Sequence, residues 1–257
     1  DKNSSRSTSR TNNSSSDNSH NNISSQSPPP TPLPTMKLHS APAERNKEFI
    51  WKILSTKVLP TILPEKGRQS LRLLEIGAGV GTHAAYFGTK LREQGQDFFY
   101  FPADMEESYR DSIRIYVEEA NLSPKHVSPP FPLTLHKHGI VETDANDTVL
   151  PPDGSLDLIL NFNMIHISPW EATEGLMIGA SQKLRTGGML YTYGPYKVGG
   201  TAAQSNLDFD ASLRNRDARW GVRNLEDVIA EAESRGLKHV ETIEMPANNL
   251  SVLFRKE

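Results

Sequence analysis

Apolar runs and helical stripes alternate along most of the chain, and this alternation predicts repeated strand–helix units. Ser40 and Pro42 stand where a helix would open, Phe49, Ile50, Ile53, Leu54 and Val58 recur on one face, and Pro60 marks the expected end. The run over 71–76 predicts a first strand with a helix after Gly81. Residues 98–102 predict a second strand, followed by a helix whose stripe is Tyr109, Ile113, Tyr116 and Val117. A proline-rich approach leads to an expected strand over 131–135, then a polar loop, then a strand over 156–161. Leu176, Met177, Ala180 and Leu184 recur at helical spacing after Trp170, with Gly187-Gly188 as the expected stop and a strand over 189–193 behind it. A last helix is expected from Asn224 as N-cap to Gly236, followed by strands over 238–244 and 250–255 separated by Pro-Ala-Asn-Asn. Repeated βα units predict an α/β fold with a mostly parallel sheet and helices on both faces. Two closing strands joined by a short turn predict an antiparallel end.

Composition divides the chain into two parts. Residues 1–35 hold eleven serines, six asparagines and five prolines, with only Ile23 and Leu33 as large apolar side chains. Such a stretch buries too little surface to offset its ordering entropy, so a disordered tail is expected over 1–35 and one globular domain over 36–257. There is no apolar signal-peptide core, no transmembrane run and no cysteine, a composition that fits a cytoplasmic protein. A net charge of −3 argues against a nucleic-acid backbone as the main partner. No membrane partner is expected, and the sequence leaves the oligomeric state open.

Residues 73–83, Leu-Leu-Glu-Ile-Gly-Ala-Gly-Val-Gly-Thr-His, carry the densest chemical information. A strand that turns into a helix through Gly77, Ala78, Gly79 and Gly81 lets backbone pass close to a ligand and leaves N–H groups facing it. The dinucleotide pattern G-x-G-x-x-G would place its third glycine at position 82, which is Thr82, and no P-loop lysine is present. Glu75 at the strand end would repel a pyrophosphate and could hold a cationic amino group. Asp104 follows Gly81 by 23 residues, near the offset of about 20 at which a carboxylate meets ribose hydroxyls. The bland alternatives are a tight turn for the glycines and a helix cap for Asp104.

The pattern E-x-G-x-G-x-G resembles motif I of the class I methyltransferases that use S-adenosylmethionine (SAM). From Ser40 onward the chain also resembles a domain-of-unknown-function family whose animal members are called methyltransferase-like. The words that carry this are Ser40-Ala-Pro-Ala-Glu-Arg-Asn-Lys47, Leu74-Glu-Ile-Gly-Ala-Gly, Asn163-Met-Ile-His-Ile-Ser-Pro-Trp-Glu-Ala172, Tyr193-Gly-Pro-Tyr196, Ser205-Asn206, Phe209-Asp210, Ser212-Leu-Arg214, Arg216-Asp217, Trp220-Gly221 with Arg223, Leu225-Glu226, and Met245-Pro-Ala-Asn-Asn-Leu250. The resemblance implies a Rossmann-like SAM-binding sheet with an antiparallel C-terminal strand, and SAM as cofactor. It implies no particular substrate. Where the family pattern reads Leu-Asp-Val, this chain has Leu135-His136-Lys137-His138, so His136 falls where the resemblance implies an adenine contact.

In an open parallel sheet, ligands bind beyond the carboxyl ends of the strands. That edge is expected to carry Gly77, Asp104 with Met105 beside it, His136, Asn161, Asn163, His166 and the stretch from Gly194. Methyl transfer is an in-line displacement in which the protein positions two partners and, for a hydroxyl or protonated amine, removes a proton. His166 is the expected base, with a pKa near working pH; His83 is expected to be a packing residue. Two histidines without further ligands make a metal site at His136 and His138 unexpected. Arg45 and Asn46 at the first helix, Tyr196 and Arg214 are expected to face a small-molecule substrate. The polar stretch 194–223 reads either as a lid or as a salt-bridged cap. A methyltransferase acting on a small-molecule oxygen or nitrogen is the leading reading, and a SAM-binding protein without methyl transfer the alternative.

Overall fold

A computed structural model of the protein describes residues 36–62, 70–142 and 150–257. The tail expected over 1–35 lies outside the described residues. Helix α1 (Ala41–Ile53) opens as expected, with the Ser40 hydroxyl accepting from the Ala43 N–H at 3.4 Å and Pro42 in the first turn, where no backbone donor is needed. Pro60 does not end it. The backbone widens into a π-turn over Leu54–Val58, with the Leu59 N–H donating to the Leu54 carbonyl, and α2 (Leu59–Ile62) starts afresh with Pro60 in its first turn. A regular helix would have driven the proline ring into the carbonyl four residues earlier, and the wider turn avoids this. Phe49 is left exposed while Ile50, Ile53, Leu54 and Val58 are buried.

The first unit is β1 (Leu71–Ile76) followed by α3 (Thr82–Glu93), and the second is β2 (Phe98–Ala103) followed by α4 (Glu107–Glu119). Of the stripe expected on α4, Ile113 is fully buried, beside Ser112, whereas Tyr109 is exposed. The strand expected over 131–135 is a correction. Val127 and Phe131 touch β2 only through isolated bridges to Tyr100 and Ala103, and the chain then leaves the main sheet as an antiparallel hairpin, β3 (Leu133–His136) and β4 (Gly139–Glu142). Pro129, Pro130 and Pro132 have no N–H to give a ladder, which explains the departure.

Strand β5 (Leu156–Phe162) leads through a short turn to α5 (Trp170–Lys183), against which the β3–β4 hairpin packs. Gly187-Gly188 does not stop this helix: it ends at Lys183, and β6 (Leu184–Lys197) runs straight through both glycines. A Cβ on Gly188 would stand 3.1 Å from the carbonyls of Leu156 and Asp157, so this glycine serves a close strand-to-strand approach at a β-bulge. Then come α6 (Gln204–Arg216), the two-residue β7 (Arg223–Asn224), α7 (Leu225–Ser234), β8 (Leu237–Met245) and β9 (Asn249–Lys256).

The main sheet has the order β2-β1-β5-β6-β9-β8, with β7 pairing the far end of β6. Strands β2, β1, β5 and β6 are parallel; β9 runs antiparallel to both β6 and β8, as the closing turn predicted. Two apolar layers flank the sheet. One joins Leu71, Leu73, Phe162 and Tyr191 to α1, the π-turn and α3 through Ile50, Leu54 and Phe87. The other joins Leu74, Ile76, Leu190 and Val252 to α5 and α7 through Leu176, Met177 and Val228. No helix among the described residues is long and apolar enough to cross a membrane.

Candidate functional site: the glycine turn and its surroundings

After β1 the chain turns with Gly77, Gly79 and Gly81 all in the left-handed region, at φ +71°, +56° and +102°. The Gly77 and Ala78 N–H groups donate to the Ala103 carbonyl at 2.9 and 3.0 Å, fastening the turn to the end of β2. The Gly79 N–H donates to Asp104 Oδ2 at 2.8 Å, and the Glu106 N–H donates to Asp104 Oδ1 at 3.0 Å. Asp104 thus anchors the turn and, lying two residues before the N-cap Glu106, holds the entry to α4 rather than capping it, so the helix-cap reading is not met. Burial raises its pKa, opposed by the two backbone donors. Each oxygen still has a lone pair to offer. Met105, next along, is 63% exposed, an apolar shelf at the mouth of the turn.

Other expected residues gather nearby. Asn161, fully buried on β5, donates through Nδ2 to the Ile76 carbonyl at 2.9 Å, which fixes its orientation and leaves Oδ1 buried without a partner. Met164 covers Gly77, its Cγ 3.4 Å from where a Cβ would sit. Asn163 adopts φ +56°, and its N–H donates to the Tyr193 carbonyl at 2.8 Å. Glu75 is turned inward: it is fully buried, Oε2 accepts from the Tyr100 hydroxyl at 2.9 Å, and Oε1 lies 3.3 Å from His83 Nδ1. The expected packing role of His83 is seen in its stack on Phe87, and its Nε2 also meets Asn46 Oδ1 at 2.8 Å.

His166 sits in a short 3₁₀ turn (Ile165–Ile167), buried, its ring edge against Phe209. Burial, with the Arg223 charge nearby, lowers its pKa to about 4. The expectation of a pKa near working pH is therefore not met, because the ring lacks an acidic neighbour to offset desolvation. This depression has a stability consequence. Unfolded, the ring takes up its proton near 6.5; folded, near 4. The contribution from its neutral form is complete above pH 6.5 and is lost as pH falls toward 4, by up to roughly 3 kcal/mol. Urea unfolding at pH 7.5 and 4.5 should show wild type losing roughly 2–3 kcal/mol more than His166→Asn; equal losses would mean the ring is not desolvated in solution.

Three expected site residues are placed elsewhere. Tyr196 is a core side chain in the α5–α7 layer, its hydroxyl 3.0 Å from Thr192 Oγ1 and its pKa pushed up to about 12 by burial. Arg214 Nε donates to Asp210 at 3.3 Å and, with Trp170, Lys197 and Arg223, lines an open cleft of about 630 Å³ that includes none of the glycine-turn residues. His136 ends β3 as an exposed residue whose carbonyl oxygen would be 2.2 Å from a Cβ on Gly175 of α5, so this position packs on a helix rather than ending a strand of the main sheet. Neither His136 nor His138 joins a group of three or more potential metal-binding side chains among the described residues.

The stretch 194–223 is a salt-bridged cap. Asp210 of α6 accepts from Lys197 Nζ and from the Val222 N–H, both at 2.7 Å, and draws in Arg214. Arg45 is exposed at the start of α1, and its neighbour Asn46 is buried. Sequence reasoning gave no role to Tyr193, whose phenol burial keeps protonated and whose carbonyl ties Asn163 to the end of β6. The word Tyr193-Gly-Pro-Tyr196 carried the family resemblance without a role for its first tyrosine.

The fold is similar to that of an O-methyltransferase family protein from Burkholderia thailandensis, with TM-score 0.58 and 15% identity over 84% of this chain and 59% of that one. It is also similar to a putative sarcosine dimethylglycine methyltransferase from Galdieria sulphuraria, with TM-score 0.58 and 15% identity over 86% and 92%. A third likeness is to a variant of LepI, solved in complex with SAH and a substrate analogue, with TM-score 0.57 and 15% identity over 80% and 48%. The chain covers 59%, 56% and 62% of three of the solved chains it matches, so it corresponds to part of those proteins. At these identities the likeness is one of fold. The family model described as a protein of unknown function, DUF938, matches residues 37–256. The chain belongs to the DUF938 family, and its fold is that of the class I SAM-dependent methyltransferases.

Proposed function

We propose that this protein is a SAM-dependent methyltransferase acting on a small molecule. The observation that carries the reading is the coupling of the glycine turn to Asp104, whose carboxylate holds the Gly79 N–H at 2.8 Å beside the exposed Met105. The residues fit the cofactor. Asp104 would accept from ribose hydroxyls, Met105 would support the adenine, and the open face of Gly79 would admit the chain of the amino acid. Asn161 Oδ1 is an unmet acceptor suited to an ammonium group. Glu75 would act on that cation through its charge, since its oxygens face Tyr100 and His83. When bound, SAM would supply a methyl group on a positively charged sulfur.

The protein's own work is then alignment and exclusion of water. His166 stays neutral at pH 6–9, and a base of pKa about 4 is poorly matched to removing a proton at pH 7. His166 instead orients the acceptor, and the acceptor atom enters already unprotonated or releases its proton to water.

Calorimetric titration with SAM tests the cofactor. Wild type is expected to bind, and Asp104→Ala to bind more weakly by roughly 1.5–3 kcal/mol, the loss of charged hydrogen bonds. No heat with millimolar SAM, or preferential binding of NAD or NADP, would sink the reading. A metabolite panel read out by S-adenosylhomocysteine (SAH) formation tests the transfer step. SAM binding with no SAH formed by any acceptor would favour a protein that binds SAM without transferring methyl, a reading that the low basicity of His166 supports.

A further inference from the structure

The open cleft lined by Trp170, Lys197, Arg214 and Arg223 plays no part in the cofactor reading, and its cations outnumber the acids that hold them. Lys197 of β6 and Arg214 of α6 share one carboxylate: Asp210 Oδ2 accepts from Lys197 Nζ at 2.7 Å and from Arg214 Nε at 3.3 Å. Asp210 Oδ1 is engaged by the Val222 N–H at 2.7 Å. Arg223 of β7 takes part in no ion pair among the described residues. Its Nη2 donates to the Ser168 and Arg219 carbonyls, both at 2.7 Å, and its Nε is buried without a partner. Carbonyls fix a guanidinium in place but leave its charge uncompensated.

The acids of the opposite wall are engaged elsewhere. Glu231 of α7 accepts from Arg235 Nε at 2.8 Å, and the exposed Asp227 accepts from Asn224 Nδ2 at 2.9 Å. Two helices also open at this cleft, α5 at Trp170 and α7 beside Asn224, and each brings the positive end of its dipole. An anion is what the arrangement lacks. The three cations stand on three separate elements and include a lysine, a set that suits a phosphate, with its several acceptor oxygens and charge of about −1.5 to −2 at neutral pH, better than a single planar carboxylate. Trp170, whose ring lies 6.0 Å from the Arg223 guanidinium, joins Val222 and Ala230 as apolar lining for a carbon body.

The cleft shares a wall with the candidate chemistry. The Gly221 N–H donates to the His166 carbonyl at 3.0 Å, and Arg223 holds the Ser168 carbonyl two residues further on. A Cβ on Gly221 would stand 2.6 Å from Asp210 Oδ1 and 2.8 Å from Arg214 Nη2. The segment that carries or touches the cations therefore also fastens the turn on which His166 sits.

We propose that this cleft is a second ligand site, in which Lys197, Arg214 and Arg223 bind the phosphate of a small phosphate monoester and Trp170 receives its carbon body. The site shares no residue with the glycine turn, and its occupation does not depend on SAM.

Titration calorimetry on the full chain with phenyl phosphate, inorganic phosphate, benzoate and phenol tests it. Phenyl phosphate is expected to bind at least tenfold more tightly than benzoate or phenol, and more tightly than inorganic phosphate. Arg214→Gln and Arg223→Lys should each weaken it at least fivefold. Arg214→Gln alters an exposed side chain and leaves Asp210 its Lys197 and Val222 partners, so an unchanged melting temperature is expected and separates binding from folding. Saturating SAH should leave the affinity for phenyl phosphate within threefold. No binding at millimolar phenyl phosphate, equal affinity for benzoate, or wild-type affinity in Arg214→Gln would overturn the site. Displacement of phenyl phosphate by SAH would also overturn it, because the anion would then be held at the glycine turn. A phosphoserine peptide binding tenfold more tightly than phenyl phosphate would overturn the small-molecule assignment in favour of a protein partner.

Discussion

Gly79→Val is expected to weaken SAM binding at least a hundredfold while the domain stays folded. A Cβ at Gly79 meets nothing within 4 Å, so the new side chain would extend into the open space that the turn borders. A bulky residue at φ +56° costs roughly 1–2 kcal/mol of backbone strain, which a domain of this size survives. Gly81 differs: a Cβ there would fall 2.7 Å from the Ile113 Cα of α4, so substitution would push two elements apart. Calorimetry and thermal melting on Gly79→Val separate binding from stability. Retained SAM affinity within tenfold would place the cofactor somewhere other than this turn.

Gly175→Ala is expected to have the opposite profile, a loss of roughly 2–3 kcal/mol of stability with SAM affinity unchanged. The added methyl would lie 2.2 Å from the His136 carbonyl oxygen and 2.9 Å from its nitrogen, both backbone atoms that no rotamer change can move aside. The β3–β4 hairpin would have to lift from α5. Urea unfolding measures the cost. A change below about 0.5 kcal/mol, the level of an ordinary surface substitution, would show that the hairpin is not docked there in solution.

Much of this architecture was legible because apolar runs mark strands covered on both faces, as in β1, β2 and β5, and helical stripes mark helices with one buried face, as in α7. Helix α6 did not announce itself because its buried positions are Asn206, Asp210 and Leu213, so a polar face carries the helical spacing. Pro60 and Gly187-Gly188 misled for a common reason: both read as stops from local preference, and tertiary context gave each a different use. The glycine turn and Asp104 were legible as a pair, since one sequence spacing encodes both. Tyr196 and Arg214 were not, because nothing local tells which face of a long strand or helix looks into a cleft.

The position of β9 has a consequence for the order of assembly. It lies between β6 and β8, although β8 precedes it along the chain. Strand β8 therefore has no partner in the sheet until β9 inserts, and β6 keeps an open edge until the same moment. A ribosome that has delivered residues up to Met245 has made a half-sheet with two unmatched borders, a species prone to pairing with other chains. Asn249, the first residue of β9, arrives with that insertion, so the surroundings of Tyr193 are completed only when the sheet closes. Chains halted before this strand should expose both borders and collect in aggregates while keeping the glycine turn.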